Sequence, residues 1–91
     1  MKEIKELLEE YAEKINKDGL QSLSKEESDV MTFGLTIQIL YESLSDIDAI
    51  GDRLRCISKM NQIRNDFIAN YPKYKEIADS YLKPKLNGDQ K

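Results

Sequence analysis

Twelve consecutive residues, Val30 to Tyr41 (VMTFGLTIQILY), carry no charge in a chain of which 34% is Asp, Glu, Lys or Arg. Any core this chain builds must be centred there, because charged side chains are rarely buried without a partner. At 100° per residue, Val30, Phe33, Ile37, Leu40 and Leu44 share one stripe of a helix, and Met31, Leu35 and Ile39 lie on a second side. A strand fits less well, since alternation fails at Leu40 and Tyr41. The stretch is also too short to cross a bilayer, which takes about 20 residues. A helix that is apolar on two sides needs cover on two sides, so this segment reads as the inner helix of a bundle.

The flanking sequence supplies the rest of that bundle. Lys2 to Lys17 reads as helix 1, with the stripe Ile4, Leu7, Leu8, Tyr11 and Ile15 and with Glu10–Lys14 and Glu13–Lys17 at i, i+4 spacing. Gly19 is placed to end it in the left-handed position, and Leu20 and Leu23 read as apolar pins on the connection. Ser24-Lys25-Glu26-Glu27 is a capping box that starts helix 2 at about Lys25, to end near Ser43 or Leu44. The apolar spacing runs on through Ile47 to Leu54, so one unbroken helix is the alternative. Ser43, Ser45, Asp46, Asp48 and Gly51 are poor helix formers, however, and favour a turn near Leu44 to Asp46 with Ser45 capping helix 3.

Helix 3 extends to about Asn70 on the stripe Ile47, Ile50, Leu54, Ile57, Met60, Ile63 and Phe67. Tyr71-Pro72 ends it, with Pro72 as the first residue of a short helix 4 that Pro84 closes. Tyr74, Ile77, Ala78, Tyr81 and Leu82 form the apolar face of helix 4. The expected fold is all-α: an antiparallel bundle of four helices with helix 2 central, in one domain over residues 1–84, followed by a flexible tail over 85–91.

Charge is unevenly divided. Residues 1–50 hold five lysines and twelve acids, a net of −7, whereas residues 51–91 hold nine Lys or Arg and five acids, a net of +4. The structural reading is an acidic hairpin packed beside a basic one; the functional reading is a basic, partner-facing surface in the C-terminal half. Arg53 and Arg64 share the angle of the helix 3 stripe, eleven residues apart. Their stems can lie across apolar surface with the guanidinium groups paired at the rim, or both can meet a partner in a groove. With Lys83 and Lys85 they are the candidate partner-binding residues.

The chain contains no His, which removes the usual general base and the imidazole metal ligands. The single Cys56 reads as an inert, partly buried thiol. Asp46, Asp48 and Gly51 match the opening of a calcium loop, but Ile57 stands where a bidentate Glu is required. Gly34, alone in helix 2, reads as a point of close helix packing. Arg53, Arg55, Lys59 and Arg64 occupy two faces of helix 3, not the single basic stripe that a phosphate backbone favours. No catalytic residue, metal site or cofactor is therefore expected, nor nucleic-acid binding. The charged N-terminus MKEIKELLEE is unlike a secretory signal, and a cytoplasmic protein is expected.

Leu8-Glu9-Glu10-Tyr11 with Ile15, and Ile50-Gly51-Asp52-Arg53-Leu54 opening helix 3, resemble the small four-helix immunity proteins that protect bacteria against their own pediocin-like bacteriocins. Many of that family are basic, unlike this chain. The resemblance implies an antiparallel four-helix bundle, recognition of a bacteriocin-occupied membrane receptor from the cytosolic side, and specificity set by the C-terminal half. The expectation is a non-catalytic protein-binding bundle with a protein partner, and homo-oligomers are possible. The alternatives are a phage or mobile-element inhibitor of a host protein and a chorismate-mutase-like helical enzyme, which would need Arg53 and Arg64 to converge on a dicarboxylate.

Overall fold

A computed structural model describes the backbone of residues 2–88 and the side chains of residues 2–83. The described chain is all-α: α1 (Ile4–Asp18), α2 (Lys25–Leu44), α3 (Ile50–Asn70) and α4 (Lys75–Gly88), with 3₁₀ turns at Leu20–Ser22 and Pro72–Tyr74. Each helix packs on the next, and α4 returns to α1, which closes the four into a bundle.

The start of α2 is the boundary that local chemistry fixes most firmly. Ser24 Oγ accepts from the Glu27 amide at 3.1 Å, and the Ser24 amide donates to Glu27 Oε1 at 2.9 Å, so two amides of the first turn are satisfied reciprocally. α1 ends at Gly19, whose φ of +88° is open to glycine at no steric cost. The glycine's ψ of 166° takes the chain into an extended exit and not the left-handed helical geometry. That exit leaves Leu20 68% exposed, and only Leu23 acts as a pin against the core. The expected i, i+4 pairs of α1 are replaced by longer-range ones. Lys2 pairs with Glu10, and Lys14 reaches across to Glu27 at 3.0 Å.

α2 stops at Leu44, which excludes the single long helix. Ser45 does not cap α3; its hydroxyl donates back to the Glu42 carbonyl at 2.9 Å and so finishes α2. α3 begins at Ile50, four residues later than that cap would place it, behind Ala49, which offers no side-chain acceptor. Pro72 opens the 3₁₀ turn and not α4 itself, and α4 continues along the backbone through Pro84 to Gly88. Proline's fixed φ suits a helix, so Pro84 forgoes one hydrogen bond to the preceding turn without ending it. Residues 89–91 of the expected tail, and the side chain of Lys85, lie outside the described residues.

The core is formed by Ile4, Leu7 and Tyr11 of α1, Val30, Phe33, Ile37 and Leu44 of α2, Met60 and Phe67 of α3, and Tyr74, Ile77, Ala78 and Leu82. Gly34 admits α1 closely: a Cβ there would lie 2.8 Å from a methyl of Leu8. Phe33 and Phe67 stack at 4.4 Å between centroids, with Tyr71 and Tyr74 against Phe67. Those two hydroxyls donate to carboxylates at the start of α2, Tyr71 to Asp29 and Tyr74 to Glu26 at 2.8 Å. Lys73 also reaches Glu26, at 3.0 Å, so the basic half does meet the acidic half here.

The carboxylates of α2's first turns are held below their ordinary range. For Glu26 the cause is hydrogen bonding from Lys73 and then Tyr74; for Glu27, from the Ser24 amide and then Lys14; for Asp29, from Tyr71 and then Lys25. Reciprocally, the Asp29 hydrogen bond raises the Tyr71 hydroxyl to about 12. Because the folded values are depressed, this stabilisation is complete above the unfolded carboxylate range, about pH 4, and is lost as pH falls through the lowered values. The melting temperature is expected to fall on titration from pH 5 towards about pH 2, with a shallower slope in Glu27→Gln than in the wild type. Equal slopes would remove Glu27 from the acid-sensitive set.

Candidate functional site

Arg53 and Arg64 are both engaged by the chain itself. Arg53 Nη1 donates to the carbonyls of Leu44 at 2.6 Å and Ile47 at 3.2 Å, and so ties the start of α3 to the end of α2 and the following loop. Arg64 Nη1 pairs with Asp79 of α4 at 2.6 Å, and Nη2 donates to Asn65 at 2.6 Å. Eleven residues of helix separate the two by about 16 Å. They have different partners and do not converge, so the geometry that a dicarboxylate-gripping enzyme would require is not assembled. Lys83 is exposed on α4.

Other candidates from the sequence also find structural roles. Cys56 is half-buried, with Sγ 3.4 Å from the Leu40 carbonyl at the α2–α3 contact. Asp46 and Asp48 lie exposed on the loop before α3, and Gly51 is in α3 itself. Among the described residues no cluster of ligating side chains could hold a metal ion. No described helix is long and apolar enough to cross a membrane.

What stands out instead is an apolar face that the bundle leaves open. The second side of α2 was expected to be covered, yet Leu35 is 45% and Ile39 63% exposed. Their surface neighbours Thr32, Thr36 and Ser43 are uncharged. The reason lies in the direction the two side chains take from α2. Lys14 on Glu27 and Leu8 against Gly34 set α1 antiparallel to α2, and this register brings Ile4 level with about Gln38. Leu35 thus lies level with α1, and it and Ile39 are exposed because they point to the side of α2 opposite the buried stripe of Val30, Phe33, Ile37 and Leu44. A cleft of about 410 Å³ opens beside Leu35, lined by Lys5, Leu8 and Glu9 of α1, Leu35 and Gln38 of α2, and Tyr81 of α4. The Tyr81 hydroxyl donates to the Gly34 carbonyl at 2.9 Å and fixes the floor.

A second opening exists at the start of α3, where Ile50 and Leu54 are 74% and 60% exposed. The expected α3 stripe is thus right for its second half, where Met60 and Phe67 are buried, and wrong for its first. Leu35 and Ile39 were legible as an apolar side of α2 but not as an unpartnered one. The signal that could have revealed this is angular, since Leu35 and Ile39 lie on the side of the helix wheel opposite the Val30, Phe33, Ile37 and Leu44 stripe.

The cleft is shallow, and its polar members are a lysine, a glutamate, an amide and a phenol already committed to a backbone carbonyl. Compared with known protein families, with curated proteins and with solved structures, the chain finds no match in any of the three.

Proposed function

We propose that this protein is a non-catalytic, protein-binding helical bundle that engages its partner through the outer face of α2. The observation that carries the reading is the exposure of Leu35 and Ile39 within the one long uncharged stretch of a highly charged chain. Apolar side chains grouped in this way, beside a cleft, are characteristic of binding surfaces. The resemblance to pediocin-like immunity proteins gives the proposal a specific form, in which the partner is a bacteriocin-occupied membrane receptor met from the cytosol. Its support is the antiparallel four-helix order and the Ile50-Gly51-Asp52-Arg53-Leu54 start of α3.

The test is affinity purification from the native cell with wild-type and Leu35→Gln/Ile39→Gln protein. Glutamine keeps helix propensity and removes apolar surface without adding charge. Recovery of the specific partner is expected to drop by about tenfold or more in the double variant. If recovery survives in that variant but is lost on charge reversal at Lys83 and Lys85, recognition runs through the C-terminal lysines and the α2 face is not the site.

A further inference from the structure

We infer that the occupant of the α1–α2 cleft is a cationic amphipathic helix, an inference that rests on the binding reading above and specifies the partner's chemistry. The cleft floor is apolar, formed by Leu8 and Leu35, and continues onto Ile39 one turn beyond Leu35. Side chains spaced in this way accept anchors at i, i+3 and i+4 of a helix laid along the groove.

The rim sets the sign of the partner. Lys5, Glu9 and Glu13 follow one another at i, i+4 along α1, and Glu42 lies one turn beyond Gln38 on α2. Glu9 and Glu13 make no ion pair among the described residues, and the Glu42 carboxylate accepts from the Gln38 amide at 2.8 Å. Among the described residues Lys5 is the one cation lining the cleft. Around it the hairpin belongs to the half of the chain with a net charge of −7. An anionic partner helix would bring its charges against Glu9, Glu13 and Glu42, whereas Lys or Arg flanking an apolar stripe would complement them.

Three labelled peptides of about 18 residues, five helical turns, test this by fluorescence anisotropy. One is a Leu/Lys amphipathic helix, the second replaces Lys with Glu, and the third has the Leu/Lys composition scrambled so that no face remains. The full chain is expected to bind the first at least about tenfold more tightly than either other peptide at low salt. Leu35→Gln/Ile39→Gln should weaken that binding by about tenfold, and Glu9→Gln/Glu13→Gln should flatten its salt dependence. Circular dichroism of each variant separates loss of binding from loss of fold. Equal binding of the Glu peptide or the scrambled peptide, or no binding of any, overturns the inference. A wild-type dimer in sedimentation that Leu35→Gln/Ile39→Gln dissolves would also overturn it, by making a second copy the occupant. Should the cellular partner be lost in the Leu35/Ile39 variant while the Leu/Lys peptide fails to bind, the binding face stands and only the cationic assignment falls.

Discussion

Phe67→Ala is expected to lower the unfolding free energy by about 3–5 kcal/mol, the largest loss from any single substitution considered, in a domain whose total is about 5–15 kcal/mol. Phe67 stacks on Phe33 and touches the rings of Tyr71 and Tyr74, so it joins α2, α3 and the connection into α4. Collapse around the missing ring is resisted because Tyr71 and Tyr74 are tethered through their hydroxyls to Asp29 and Glu26. The residual cavity, and hence the cost, should fall towards the upper end of the range. Urea denaturation measures it, and a loss under about 1 kcal/mol would mean that the aromatic cluster is not the joint between these elements.

Ile37→Ala should cost about 2–5 kcal/mol by the same measurement. Ile37 is fully buried on the inward side of α2, near the middle of the helix, where packed neighbours leave little room to relax. Glu9→Ala, at an exposed position of α1, is the control and should change stability by less than about 0.5 kcal/mol. Equal effects of the two substitutions would place Ile37 outside the core.

How much of this was legible in the sequence depends on what fixes each feature. The start of α2 was legible because Ser24 and Glu27 satisfy one another's amides within four residues, whatever the rest of the chain does. Its end near Ser43 or Leu44 was legible only as the better of two readings, because the apolar spacing runs on to Leu54 while Ser43, Ser45, Asp46, Asp48 and Gly51 are poor helix formers. The start of α3 was not, because Ser45 had two backbone groups within reach and its hydroxyl took the Glu42 carbonyl behind it. Arg53, from inside α3, then serves the carbonyls of Leu44 and Ile47, a choice that depends on how the loop folds back. Periodicity located Leu35, Ile39, Ile50 and Leu54 on apolar sides of their helices, but it is silent on whether another helix reaches that far. Cover depends on which side of each helix its neighbours take, which contacts such as Leu8 against Gly34 and Lys14 on Glu27 decide only in three dimensions.

One side of α2 builds the bundle and the opposite side is left exposed at Leu35 and Ile39. Thermal melting of Leu35→Gln/Ile39→Gln beside the wild type tests that division most directly. The predicted outcome is a change of less than about 1 kcal/mol, since both side chains are substantially solvent-exposed and Gln preserves the helix. A loss as large as that of Ile37→Ala would contradict it, because the outer face would then be part of what holds the fold together.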